Sequence, residues 1–570
     1  MSNPATVGAI VAVTVVTGVI GARGVRVART PADFLVAARR VPPFLNASAI
    51  SGEYLSAASF LGIAGLAMLD GLGALWYAVG YAGGYLVLLA TIAAPLRRFG
   101  TYTIPEFAEG RLESARLRRA TMVMVLVICG FYLLPQLKGA GITLQAALGG
   151  PYWLGVVTLG AVVTVGIASG GMKGITVVQA FQFWLKLTAI AVPVLFLLLY
   201  FHHPAFGSLR GEAPPSFAAA TTVKFPDAEQ VDVQAPVTVQ AYGVVGGVHR
   251  HGPLLLAAGS TNVGAGASLR FPAGSKAPTL TSAVLLSSSE WESPLVRING
   301  VADHPLAATY GVVLATFLGA LGLPHILVRF YTNPDGAAAR KTTTVVLLFL
   351  ACFYVFPAIF AALGRLDAPQ LYATGQTDSV VLVLPRLVGT GALGAALAAL
   401  TAGGAFAAFL STSSGLLISM SGALSHDLMG RGVRAFRTSA LASGLVATVC
   451  GLVVAGDSIN VLVGWAFAIA ASSLCPLLLL GIWWPALTWK GALAGLLLGG
   501  GVASLAVVAT MLGAGKSGWP AVLLGEPAIL GVPLAFLTMV GVSKLTRSSL
   551  PVNVTAKLLA LHLPEAVRPT

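Results

Sequence analysis

Residues 400–427 read LTAGGAFAAFLSTSSGLLISMSGALSHD, apolar enough to lie in a membrane yet carrying Ser411, Thr412, Ser413 and Ser414 in a row. On a helix, Ala408, Ser411 and Thr412 stand at i, i+3 and i+4, so they share a face and can offer one carbonyl and two hydroxyls to the same small object. A desolvated alkali cation is such an object. Ser413 and Ser414 point elsewhere around the helix, as packing or backbone-bonding residues. The reading requires that the surrounding chain be a membrane helix bundle.

Composition points that way. Of 570 residues, 56% are hydrophobic and 9% charged, with a mean hydropathy of +0.86; soluble domains carry about 25% charged residues. Apolar windows long enough to cross a hydrocarbon core of roughly 30 Å as helices recur along the chain. Thirteen spans are predicted, at 5–22, 43–69, 73–95, 120–148, 152–170, 175–200, 304–328, 342–364, 390–422, 438–455, 459–481, 490–513 and 527–543. The expected fold class is an all-α polytopic membrane protein, not a barrel.

The first run has no basic residue before it and Arg23, Arg26 and Arg29 after it, the reverse of a cleaved signal peptide. It reads as a retained span with the N-terminus outside, and thirteen spans then put the C-terminus inside. In this topology 23 of the 34 Lys and Arg fall in cytoplasmic loops and only Arg365, Arg386 and Lys516 in short external ones. One missed span would invert every later loop and destroy the bias. The net charge of +14 therefore sets topology and does not mark a nucleic-acid partner. Cys129, Cys352, Cys450 and Cys475 lie in apolar segments without metal-ligand spacing and read as buried small hydrophobes.

Segment 201–303 differs in kind. It is rich in Pro, Gly, Ser and Thr, and residues 231–234 and 237–240 alternate apolar and polar as half-exposed strands do. A β-rich external cap and a partly disordered loop both fit. His202, His203, His249 and His251 have no diagnostic metal spacing and read as surface histidines.

Two more segments carry chemistry. Residues 45–62, LNASAISGEYLSAASFLG, place Glu53 among serines inside an apolar span, where an ionised side chain at mid-depth costs roughly 2.5–3.5 kcal/mol. Ser51-Gly52-Glu53 is a place for a helix break whose freed carbonyls hold a cation. In residues 319–331, GALGLPHILVRFY, Pro324 predicts a second break or kink near Gly322. Small residues also let membrane helices approach closely, so packing and ion binding both fit each segment taken alone.

Together, Gly52–Gly62, Gly322–Phe330, Ala423–Leu428 and Gly464–Ser472 resemble the sodium:solute symporter family, most closely its cation/acetate symporter branch. The resemblance covers residues 30–545 apart from 201–303, where acetate permeases have a shorter loop. It implies a LeuT-like core of two inverted five-helix repeats. The domains are then an added helix and loop start at 1–30, the first repeat at 31–200, the insertion at 201–303, the second repeat at 304–485, added helices at 486–545 and a cytoplasmic tail at 546–570. It also implies a sodium site whose backbone ligands fall on Gly52, Leu55 and Ala408 and whose hydroxyl ligands fall on Ser411 and Thr412.

Substrate or gating candidates around the two breaks are Glu53, Tyr54, Gln136, Lys138, Lys186, Gly322 and His325. Acetate permeases resemble this chain at Lys186, but their counterpart of Lys138 is not expected to be lysine. Lys138 either neutralises a substrate carboxylate or reaches the outer interface on its long stem. Lys186 lies deeper, in a gating or pairing role, with Glu53 as one partner to consider. His325 suits hydrogen bonding at the break better than proton relay, and Glu106 and Asp427 read as solvated or capping residues.

The function this implies is secondary active symport, in the plasma membrane, of Na+ with a short-chain monocarboxylate such as acetate, propionate or pyruvate. No cofactor and no enzymatic site is implied, and there is no Walker loop. A cation crossing 100 mV gains about 2.3 kcal/mol, but one Na+ with one monocarboxylate is electroneutral, and only chemical gradients then drive uptake. Alternatives are symport of a neutral or zwitterionic solute such as proline or a sugar, a passive channel, or a transporter-like sensor. The 27 residues after the last span leave a sensor no room for an output domain.

Overall fold

The computed structural model describes residues 4–25, 40–201, 215–281, 286–297, 304–388, 391–429, 432–453, 458–515 and 517–564. Arg26, Arg29, His202, His203, Lys516 and the side chain of Asp427 lie outside the described residues. Among the described residues, twelve helices are long and apolar enough to cross a membrane, or thirteen if the bent pair Pro43–Tyr54 and Ala58–Asp70 is one span. Val15, Leu199, Leu445, Leu505 and Leu537 stay exposed on them, as side chains facing lipid tails do; Cys352 and Cys450, expected to be buried like Cys129 and Cys475, are exposed among them. The loop expected at 171–174 is helical instead, and helical backbone runs over Tyr152–Tyr200, 49 residues. That length holds two apolar stretches, Tyr152–Ser169 and Gly174–Tyr200, each long enough to cross.

Three of the interrupted spans among the described residues meet at the centre of the bundle. The first helix starts on Pro43, stops where Leu55 leaves helical geometry (φ −72°, ψ 84°), and resumes as a π turn at Ala58–Gly62. The two halves are bent by 67°. The second break, between Pro305–Gly319 and Pro324–Phe330, passes through a 3-10 turn to extended Leu323 (φ −76°, ψ 111°). Proline, having no N–H, fits the first turn of the restarted helix. A third break separates Ile459–Ala471 from Leu474–Trp483 at Ser472–Ser473. All three lie in the protein interior, the setting in which non-helical backbone survives at membrane depth.

The insertion is folded, so the molecule is predominantly helical and not all-α. Seven antiparallel strands, β1 (Thr221–Lys224), β2 (Glu229–Val233), β3 (Val237–Val245), β4 (Val248–Leu256), β5 (Gly259–Val263), β6 (Ser268–Phe271) and β7 (Thr279–Leu280), run in the order β1-β6-β3-β5-β2-β7, with β4 also on β3. The alternation at 231–234 and 237–240 falls on β2 and β3, with Val231, Val233, Val239 and Ala241 buried. β3 and β4 join through Gly246 and Gly247, both at positive φ (61° and 78°), the geometry that a two-residue hairpin turn demands.

This cap has its own core around Phe217, Val231, Leu269 and Phe271, joined by Ala373 from the helical body. A second tether is Trp291. It is buried with Leu286 and Ala362 against Leu72, and its indole donates to Met68 O at 3.1 Å.

On the opposite face, Arg97 and Arg111, expected as topology-setting loop residues, are buried. Arg97 Nε donates to Asn333 O at 2.5 Å and Arg111 Nε to Gly481 O at 2.9 Å. Each satisfies a carbonyl near a helix end that has no partner in its own helix.

Candidate functional site

Breaking a helix frees carbonyls at its C-terminal end, and at the first break these belong to Gly52, Glu53 and Leu55. Opposite them runs the serine-bearing helix Ala392–Leu424. Ser411 Oγ lies 2.6 Å from Gly52 O and 3.1 Å from Ala408 O, and Thr412 Oγ1 donates to Glu53 O at 2.6 Å. Gly52 has no side chain for a packing reason: a Cβ there would overlap the Gln179 carbonyl behind it. Of the flanking serines, Ser414 bonds back to Leu410 O at 2.7 Å, and Ser413 Oγ is buried without a partner among the described residues.

The Lys186 ammonium sits at the centre of this cradle. It donates to Gly52 O, to Leu55 O at 2.8 Å and to Ser411 Oγ at 2.6 Å. A lysine has three N–H donors and no acceptor, so the three oxygens satisfy it fully. Three of the five residues expected as cation ligands thus converge on one ammonium nitrogen. Ala408 O stands next to Ser411, and Thr412 is turned to the neighbouring carbonyl.

Glu53 takes a different partner from the one considered from sequence. Its Oε2 accepts from Arg329 Nε at 2.7 Å, with both side chains buried. Arg329 also donates to Thr176 Oγ1 at 2.9 Å and to Gln179 Oε1, and Gln179 Nε2 in turn donates to Ser411 O at 2.7 Å. The guanidinium's fixed fork therefore ties the first break, the second-break helix and the helix of Lys186 into one network. Gly415 is side-chain-free because a Cβ would occupy the Glu53 carboxylate's space.

Sequence reasoning missed Arg329, Thr176 and Gln179. Arg329 ends an apolar span and counted as a loop residue, although it is fully buried. The usable signal was a second intramembrane charge, opposite in sign to Glu53.

The restarted end of the same helix has other company. Gln136 Oε1 accepts from Ala57 N at 2.9 Å, capping the restart, and Ser59 Oγ meets Tyr354 OH at 3.0 Å. His325 packs edge-on to Tyr132 with ring centroids 5.1 Å apart, and Tyr132 lies 5.7 Å from Phe467. Both His325 nitrogens, Tyr85 OH and Asn460 Nδ2 are buried without hydrogen-bond partners among the described residues.

Lys138 is near the same helix turn as Gln136, within electrostatic reach of buried Asp378. Tyr54 packs against Tyr85 and donates to Tyr81 O at 2.9 Å, away from the cradle. Gly322 lets the second break press against Ala470 O in the third interrupted span.

The sodium:solute symporter family matches residues 34–246 and 298–499, well over half the chain. The chain belongs to this family. The unmatched 247–297 is mostly cap. An uncharacterized symporter of Cupriavidus necator is 28% identical, aligned over 91% of this chain and 88% of its own. YwcA, an uncharacterized symporter of Bacillus subtilis, is 27% identical over 89% of this chain and 88% of its own.

Among solved structures, a Na+-coupled sialic acid symporter in a substrate-bound outward-open state superposes with a TM-score of 0.64 at 12% identity, covering 95% of this chain and 97% of that one. Mhp1, a nucleobase-cation-symport-1 family transporter, superposes at 0.52 with 13% identity, covering 92% and 98%. These likenesses identify the fold as that of LeuT-type symporters. The protein is a multi-pass membrane transporter, not an enzyme, and family membership supports Na+-coupled symport of a small solute, with the plasma membrane as its location.

Proposed function

We propose that this symporter couples Na+ to the uptake of a small organic anion, a short-chain monocarboxylate of the acetate, propionate or pyruvate type, by alternating access around the two facing breaks. The cap face is external in this reading, which puts the N-terminus outside and the C-terminus inside. The first break opens the first inverted repeat and the second break opens the second. Na+ is cargo, received by Gly52, Leu55, Ala408, Ser411 and Thr412.

One observation carries the anion. The buried centre holds two basic side chains, Arg329 and Lys186, against a single carboxylate, Glu53, so basic groups there outnumber acidic ones by one. Buried charge is costly unless paired, and a carboxylate arriving at the adjacent Gln136–His325 region offsets it. Lys138, buried within electrostatic reach of Asp378, is a second cation this reading offers the carboxylate.

The test is uptake of labelled acetate, propionate, pyruvate, proline and glucose into proteoliposomes under Na+, Li+, K+ or proton gradients in turn. The expected outcome is Na+-stimulated uptake of the monocarboxylates alone, insensitive to voltage if the stoichiometry is one to one. Uptake of proline or glucose in preference would replace the anion with a neutral or zwitterionic solute.

A further inference from the structure

The five residues expected to receive Na+ are not simply waiting for an ion. Gly52 O, Leu55 O and Ser411 Oγ already converge on Lys186 Nζ. These are the oxygens that a cation at this position has to use. The Lys186 side chain is fully buried and its three donors are matched by three acceptors. Two unit cations cannot share three oxygens in a region shielded from water, because nothing there screens their repulsion.

We propose that Lys186 is a tethered competitor for the coupling ion: its ammonium and Na+ occupy the cradle in alternation, and the ion enters only as the lysine head group leaves. This rests on the reading of the cradle as the Na+ site and adds how that site is regulated.

A second observation supplies the place to which the head group goes. Glu53 Oε1 is buried with no hydrogen-bond partner among the described residues, its other oxygen being held by Arg329. Glu53 follows Gly52, whose carbonyl the ammonium holds, so the displaced head group has an open acceptor within the same network. Its departure frees Ser411 Oγ and the two carbonyls together. Ion entry thereby moves the helix of Lys186 relative to the break. Binding and conformational change are then one event, as coupling requires.

If the ammonium holds the cradle about nine-tenths of the time, the apparent Na+ affinity is lowered roughly tenfold, since only the vacated fraction binds. The test is Na+-dependent thermal stabilisation of the purified full-length protein, titrated with NaCl against choline chloride at constant ionic strength and without substrate.

Lys186→Met is expected to tighten the apparent Na+ Kd by about tenfold or more, or to create a Na+ response where the parent has none. Lys186→Ala guards against a poorly folded methionine variant. In it, added methylammonium should compete with Na+, while leaving the parent's titration unmoved. An unchanged or weaker Na+ affinity in both variants, in protein that remains monodisperse, overturns the proposal. Ser411→Ala separates the two levels. If it abolishes the Na+ response while Lys186→Met changes nothing, the site stands and the competition falls. If Na+ responds normally in Ser411→Ala, the cradle is not the Na+ site and both fall.

Discussion

The two ends of one broken helix are built on opposite rules. At the stopping end, Gly52–Leu55, the freed carbonyls of Gly52, Glu53 and Leu55 are engaged by Lys186, Ser411 and Thr412, and Arg329 holds one carboxylate oxygen, while Glu53 Oε1 and Ser51 Oγ have no partner among the described residues. At the restarting end, Ser56–Gly62, one glutamine caps the backbone and Tyr354 meets Ser59, while Tyr85 OH, both His325 nitrogens and Asn460 Nδ2 nearby have no partner among the described residues. An unsatisfied buried polar group costs about 1–3 kcal/mol. Keeping several together makes physical sense where something that comes and goes completes their bonds. Under the proposed function, the contrast sets a position defined by the protein's own charges beside one that a visiting solute completes.

The largest expected effect comes from removing the charge that anchors the stopping end. Arg329→Met leaves Glu53 buried and unpaired, and breaking such a pair costs about 3–5 kcal/mol. Thermal melting in detergent should drop sharply or the folded fraction should collapse, while a melt like the parent's would show that the pair adds no stability.

Next is Ser411→Ala combined with Thr412→Ala, which should raise the Na+ concentration for half-maximal uptake by roughly tenfold or more with little loss of expression. Unchanged Na+ dependence in proteoliposomes would erase the distinction between the two ends.

Lys138→Met should then impair carboxylate uptake severalfold while leaving Na+-induced stabilisation intact; equal uptake by both proteins would make Lys138 structural. The smallest effect lies far from either end. Ser287→Ala breaks the capping box of Ser288–Trp291, costing about 1 kcal/mol, and limited proteolysis of the cap should quicken modestly.

The same box gives an acid dependence with a definite sign. The Ser287 hydroxyl and backbone N–H hold the Glu290 carboxyl below its usual range. Its contribution is therefore complete above the ordinary carboxylate pKa and fades as pH falls through the lowered value. Proteolysis of the parent cap should quicken below about pH 4, and Ser287→Ala should show less of that acid dependence.

The spans were legible because twenty apolar residues in sequence have few other uses, and the strands because alternation at 231–240 survives inside a polar insertion. The shared face of Ala408, Ser411 and Thr412 was legible too, since helical periodicity alone sets it. What sequence could not supply were partners made by folding. Arg329 lies 276 residues from Glu53, and at the end of its span it was indistinguishable from a topology-setting charge. Lys186 was recognisable as a buried lysine, but its target is three oxygens on two other helices, two of them backbone atoms that carry no sequence signal. The unbroken helix through 171–174 escaped for the converse reason: Gly170, Gly171 and Gly174 read as a turn because glycine is a poor helix former.

Trp291 offers a last use. Its indole nitrogen donates to Met68 O, the same carbonyl that Tyr372 reaches at 2.7 Å, and Arg365 lies 5.4 Å from its ring centre. One aromatic ring thus touches the tip of the half-helix that begins at the break. Any tilt of that half-helix changes the ring's distance from the guanidinium. If that half-helix tilts in the proposed cycle, the protein carries a built-in fluorophore at its cap-side end, and the emission of Trp291, isolated by replacing the other tryptophans, would report the cycle as light without an added label.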